Sequence, residues 1–132
     1  MASRFHSSTD LKAVRGLGSA KSGVHHWWLQ RLTAAGNLVL LIWFVASLIL
    51  LPSLDHATVI AWIAQPLVAV PLVLMILSTF WHARLGFAVF IEDYVHDDGL
   101  RLIALTALTF FLLALGALSV FSVLAIAFGA RG

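Results

Sequence analysis

The residues able to do chemistry in this chain gather at positions 82–96, H-A-R-L-G-F-A-V-F-I-E-D-Y-V-H, inside and at the end of an apolar, membrane-length segment. Ionisable side chains at bilayer depth are costly, so they usually face a bundle interior and mark a cofactor, ion or proton site. If the segment is helical throughout, eleven residues turn about 1100°, which returns Asp93 to nearly the face of His82, about 16 Å further along the axis. Ser78, Gly86 and Val89 fall on that face too. A Gly one turn after a His lets a helix present imidazole to a flat, bulky cofactor, and neutral imidazole is a good iron ligand. The competing reading of His82 is a buried histidine bonded to a neighbouring hydroxyl such as Ser78. One His cannot complete a bis-imidazole iron. A second ligand would come from another chain, because His25, His26 and His96 belong near one membrane surface and His56 near the other. Asp93 and Tyr94 also have two readings. They are interfacial residues, or they form a quinone site in which a phenol donates to a carbonyl and nearby carboxylates or His supply protons.

Around these residues the chain is apolar throughout: 61% of the 132 residues are hydrophobic and 11% charged, against about a quarter charged in a soluble domain. The expectation is an all-α integral membrane protein of three transmembrane helices, part of a heteromeric helix bundle, without a soluble catalytic domain. No Cys is present, which excludes disulfides, thiolate catalysis and iron–sulfur ligation by this chain. Any metal enters through His or a carboxylate. Five Lys and Arg in the first 31 residues dominate the net charge of +2, a pattern suited to an anionic cytoplasmic membrane surface. No basic stripe with interleaved aromatics supports nucleic-acid binding.

The chain divides into a basic cytoplasmic tail at 1–24, where Gly18, Ser19, Ser22 and Gly23 disfavour a helix, and a membrane domain at 25–132. His25, His26, Gln30 and Arg31 flank Trp27 and Trp28, an interfacial aromatic pair. Arg31 either snorkels to headgroups or pairs with an acidic group of a cofactor or partner. Spans are expected at about 28–51, 66–91 and 102–128. Pro52 ends the first, and the loop at 52–58 lacks Lys and Arg, which puts it outside. Residues 59–91 are too long for one crossing, so Pro66 starts the second span, Trp62 anchors at the interface before it, and Pro71 kinks its first turns. Residues 92–101 form a polar turn on the side of the N-terminus. The third span carries no charge.

Taken together, G-V-H-H-W-W-L-Q-R-L-T-A at 23–34 and H-x-x-L-G-x-x-V-x-x-E-D-Y-V-H at 82–96 resemble the hydrophobic membrane anchor subunits of succinate dehydrogenase, a similarity running from about Gly23 to the end of the third span. The resemblance implies a non-catalytic anchor in respiratory complex II, supporting electron transfer from succinate to ubiquinone in the tricarboxylic acid cycle and respiratory chain. The implied location is a bacterial inner membrane, or the mitochondrial inner membrane in a eukaryote. Implied partners are the flavoprotein, iron–sulfur and cytochrome b subunits and membrane lipid. His82 would be an axial ligand of haem b, shared with the cytochrome b subunit. Tyr94 would donate to ubiquinone with Asp93 in support, and Arg31 would add to haem-site or quinone-site electrostatics. Ala88 stands where many relatives carry Gln. Arg84 replaces a usually uncharged residue and bears on the electrostatics of the haem pocket. A different class, a small homo-oligomeric ion-coupled transporter using Asp93 or His82, would want a charge near the middle of an early span; the uncharged third span and off-centre His82 disfavour it. A purely structural anchor leaves Arg31, His82 and Tyr94 unexplained.

Overall fold

A computed structural model describes residues 19–129, with side chains described from Gly23 onward; most of the basic tail, residues 1–18, and Arg131 lie outside them. The described chain is all helical: α1 (Ser19–Ile49), α2 (His56–Ile63), α3 (Pro66–Tyr94) and α4 (Asp98–Gly129). The three long helices are each long and apolar enough to cross a membrane. At 1.5 Å per residue they measure about 44 to 48 Å, so their ends reach past the ~30 Å hydrocarbon layer into the headgroups.

The three expected spans lie within the long helices, whose ends are displaced. α1 begins at Ser19, within the Gly- and Ser-rich stretch expected to resist a helix. A Gly inside a helix costs only about 1 kcal/mol, which a long apolar helix already nucleated downstream absorbs. At its other end α1 stops before Pro52, which pushes Leu51 out of helical geometry. Pro66 occupies the first turn of α3 as expected, and the helix continues through Pro71 to Tyr94, three residues beyond the expected end. The polar turn shrinks accordingly to residues 95–97. The Asp97 carboxylate accepts from the Leu100 amide at 2.7 Å, capping α4 several residues before the uncharged stretch.

The largest departure from expectation is α2. Asp55 caps it by accepting from the Thr58 amide at 3.0 Å, and also takes hydrogen bonds from the Ser53 and Thr58 hydroxyls. These bonds, Ser53 first, hold the exposed Asp55 carboxyl down at about 2. The ionised cap is therefore complete above the ordinary value of 3.8 and is lost only as pH falls through about 2. Trp62, expected as an interfacial anchor, is instead 7% exposed. It packs with Val68 and Leu72 against Trp43, Phe44, Leu48 and Val123, stacked on Trp43 with centroids 6.5 Å apart. The short helix thus folds an indole inward to close one end of the bundle, covering apolar side chains of all three long helices with a single Trp.

α3 lies between α1 and α4 and touches both, whereas α1 and α4 do not meet. Side chains turned toward α3 recur along α1 at three- and four-residue spacing (Gln30, Thr33, Asn37, Leu40, Phe44, Ser47), and most of the rest of that helix is exposed. On the other side, Gly116 of α4 is buried under Phe80 of α3; an added Cβ would meet that ring at 3.4 to 3.7 Å. Gly116→Ala is therefore expected to fit, while Gly116→Leu overpacks the α3–α4 contact by about 1 to 3 kcal/mol. A thermal melt of the purified assembly checks this: Leu should lower the transition by several degrees and Ala should leave it near wild type.

Candidate functional site

Because α3 is continuous from Pro66 to Tyr94, the rotation argument for His82 and Asp93 applies, and the two lie on nearly the same face about 16 Å apart along the axis. His82 sits sixteen residues from the Pro66 end of α3, and Thr33 sits sixteen residues from the Ile49 end of antiparallel α1, so the two meet at one depth. Their side chains are joined: Thr33 Oγ1 lies 2.9 Å from His82 Nδ1. The bonding hydroxyl anticipated for a buried His is thus present, but it belongs to Thr33 of the facing helix rather than to Ser78. Two glycines lie along this approach. A Cβ on Gly36 would stand 4.0 Å from Ser78 Oγ, and one on Gly86 would stand 3.5 Å from Gln30 Nε2. A Cβ at Gly86 would make ordinary contact with the Gln30 amide, so Gly86 lies between that amide and the space beside His82. Gln30 Oε1 and Asn37 Oδ1, one turn to either side of Thr33, are buried without a hydrogen-bond partner among the described residues.

His82 also lines a shallow open depression of about 280 Å³ with Ala83, Gly86, Phe87 and Phe90. Phe87 and Phe90 are more than half exposed. The depression presents one imidazole, a Gly and two aromatic rings on an outward face. A flat aromatic cofactor fits this donor and lining set, since Nδ1 is engaged inside the chain and Nε2 has no hydrogen-bond partner among the described residues. The remaining walls and a second iron ligand would have to come from another chain; among the described residues no group of three His, Cys, Asp or Glu side chains could hold a metal by itself.

Arg84 turns the other way. Two residues on a helix differ by about 200°, and the Arg84 side chain lies against α4, with Nε donating to Thr109 Oγ1 at 3.3 Å and the guanidinium 6.0 Å from the Trp81 ring. It stands at one end of an apolar groove of about 710 Å³ between α3 and α4, lined by Leu77, Phe80, Leu112 and Gly116 among others. Its charge is therefore directed to the α3–α4 face and not into the His82 depression.

Arg31 is likewise not brought to His82. It projects from the exposed face of α1, with its guanidinium 4.4 Å above the Trp27 ring, and Trp27 meets Trp28 edge-on at 5.2 Å. A cation held over an indole at the helix entrance is fixed in direction while remaining open to an anion or a partner. Tyr94 and Asp93 are exposed at the end of α3. Tyr94 rests on Phe90 with centroids 4.6 Å apart, so the ring that walls the His82 depression also supports the phenol. Sequence reasoning missed Thr33 and the contact made by Gln30, which it named only beside the Trp pair, and it missed Phe87 and Phe90. The signal for the first two was polar residues at helical spacing in an otherwise apolar span, and for Phe90 its four-residue offset from Tyr94.

Over residues 6–116 the chain matches the family described as succinate dehydrogenase/fumarate reductase transmembrane subunit. It is 34% identical over 92 residues to the succinate dehydrogenase hydrophobic membrane anchor subunit of Rickettsia bellii, covering 70% of this chain and 74% of the relative. The corresponding subunit of Rickettsia conorii is 31% identical over 98 residues, covering 74% of this chain and 78% of the relative. The succinate dehydrogenase membrane anchor subunit of Reclinomonas americana is 33% identical over 96 residues, covering 64% and 73%.

Proposed function

The chain belongs to the succinate dehydrogenase/fumarate reductase transmembrane subunit family, and from that membership we propose that it anchors a succinate:ubiquinone oxidoreductase in the inner membrane, helps to hold haem b and completes a ubiquinone site. The observation that carries the cofactor part is the arrangement at His82, whose ring is fixed from inside while it lines an open depression with Gly86, Phe87 and Phe90. His82 would supply one axial ligand and the cytochrome b subunit the other. Haem b, when bound, supplies a one-electron iron centre within the membrane. Family membership weighs against the transporter alternative.

At the other end of the stripe, Tyr94 would donate a hydrogen bond to a quinone carbonyl, and Asp93, next to it in sequence and exposed, would relay protons from water to the quinone as it is reduced. Arg31, open above Trp27, would face lipid headgroups or an acidic group at the haem or quinone site. Succinate chemistry belongs to the flavoprotein, with the iron–sulfur subunit docking at the end of the bundle that carries Tyr94. The N-terminus and the turn at 95–97 would lie on the cytoplasmic side, and Asp55 on the opposite one, as the Lys and Arg bias of the first 31 residues requires.

His82→Ala should remove haem b or shift its reduced-minus-oxidised spectrum, while succinate oxidation with a soluble dye acceptor continues. An unaltered haem spectrum in that variant sinks the ligand assignment. Tyr94→Phe removes only a hydroxyl, so haem and assembly should persist while quinone reduction falls by roughly 5- to 150-fold at most, the equivalent of about 1 to 3 kcal/mol. Unchanged quinone reductase kinetics would make Tyr94 an interfacial residue only. For orientation, cysteine placed at Ser53 should react with an impermeant maleimide from the periplasmic face of intact cells; reaction only after lysis reverses the topology.

A further inference from the structure

The Thr33 hydroxyl stands within hydrogen-bond reach of three groups, and it has a single proton to give. Its oxygen lies 2.7 Å from the Leu29 carbonyl oxygen, 3.1 Å from the Gln30 carbonyl oxygen and 2.9 Å from His82 Nδ1. Two oxygens 2.7 Å apart attract only if a proton lies between them, and a carbonyl has none. The Thr33 proton is therefore directed to Leu29, the usual back-bond of a helical Thr, and the hydroxyl oxygen turns its lone pairs toward α3. An acceptor facing Nδ1 at 2.9 Å requires that Nδ1 carry the hydrogen. In neutral imidazole that leaves the lone pair on Nε2.

We propose that Thr33 is a positioning residue for the His82 ligand: by accepting a hydrogen bond from Nδ1–H it selects the tautomer whose Nε2 can bind iron, and it sets the plane of the ring. This inference rests on the reading of His82 as a haem ligand. The β-branched side chain suits the task, because its rotamer is restricted and the back-bond to Leu29 fixes the hydroxyl on a rigid helix. Accepting a hydrogen bond from the far side of an imidazole also raises its basicity as a ligand, which favours ferric over ferrous iron.

The test uses the whole complex carrying Thr33→Val, which keeps the shape and removes the oxygen, Thr33→Ser, which keeps the oxygen, and His82→Ala as the control for the ligand itself. The readouts are the haem midpoint potential and the low-spin ferric electron paramagnetic resonance signal, which depends on imidazole orientation. Thr33→Val should retain haem but shift the ferric/ferrous equilibrium toward ferrous by up to roughly tenfold, about 59 mV upward for one electron, with altered g-values. Thr33→Ser should lie near wild type, which a merely space-filling role for Thr33 would not predict. If Thr33→Val does not assemble, Thr33→Ala removes the oxygen without burying an added methyl, and its potential is compared with that of Thr33→Ser. Equal potentials and g-values with and without the oxygen overturn the role of Thr33, provided His82→Ala has lost or altered the haem. A normal haem in His82→Ala overturns the ligand assignment instead, and the Thr33 inference falls with it.

Discussion

The bilayer offers no water to a polar side chain, so each polar group at depth must find its partner within the protein or in what the protein binds. The contact between Thr33 of α1 and His82 of α3 answers that constraint, and much of the bundle is arranged around it. Its direct contribution to stability is small, since interhelical hydrogen bonds in membranes average about 0.6 kcal/mol. A bond so weak cannot be what holds the helices together. Packing of the Trp62 cluster and of Phe80 on Gly116 does that, and the hydrogen bond sets the direction of a ring.

The central helix divides its labour by angle. One face of α3 meets α1 through Ser78, His82 and Gly86; another meets α4 through Phe80 and Arg84; a third presents Phe87 and Phe90 outward. This separation matters because Arg84 is only two residues from His82. A guanidinium in the His82 depression would weigh against any cationic metal centre there, whereas its bond to Thr109 occupies it on the opposite side. The same helix can therefore carry a cation and a candidate ligand in close sequence without bringing them face to face.

Much of this was legible in the sequence because membrane spans are written in composition. A run of apolar residues of sufficient length, bounded by Pro52, Pro66 and the polar stretch before Arg101, locates three crossings, and the 3.6-residue period puts His82 and Asp93 on nearly the same face. What escaped depends on contacts between distant positions. Thr33 and His82 are 49 residues apart, and nothing local to either selects the other over Ser78, which sits one turn from His82 on the same helix. Trp62 escaped for a related reason. A Trp beside a membrane end is read as an interfacial anchor, but the Asp55 cap starts a helix that turns this one inward against Trp43 and Phe44.

The outward faces carry the last step. Of the long helices α1 touches α3 alone, so none of its described side chains is fully buried, and large apolar residues such as Leu38, Val39 and Ile42 face away from the chain. Lipid can cover such residues without loss; Gln30 Oε1 and Asn37 Oδ1, which lack donors among the described residues, are already buried within the chain and face neither lipid nor a partner. Phe87 and Phe90 add rings on a depression that opens outward beside His82. Covering aliphatic residues asks only for apolarity, whereas completing an imidazole and two rings asks for defined chemistry at defined depth. The proposed haem and cytochrome b subunit would meet that demand on this side of α3, and lipid would suffice over the uniformly aliphatic stretches elsewhere.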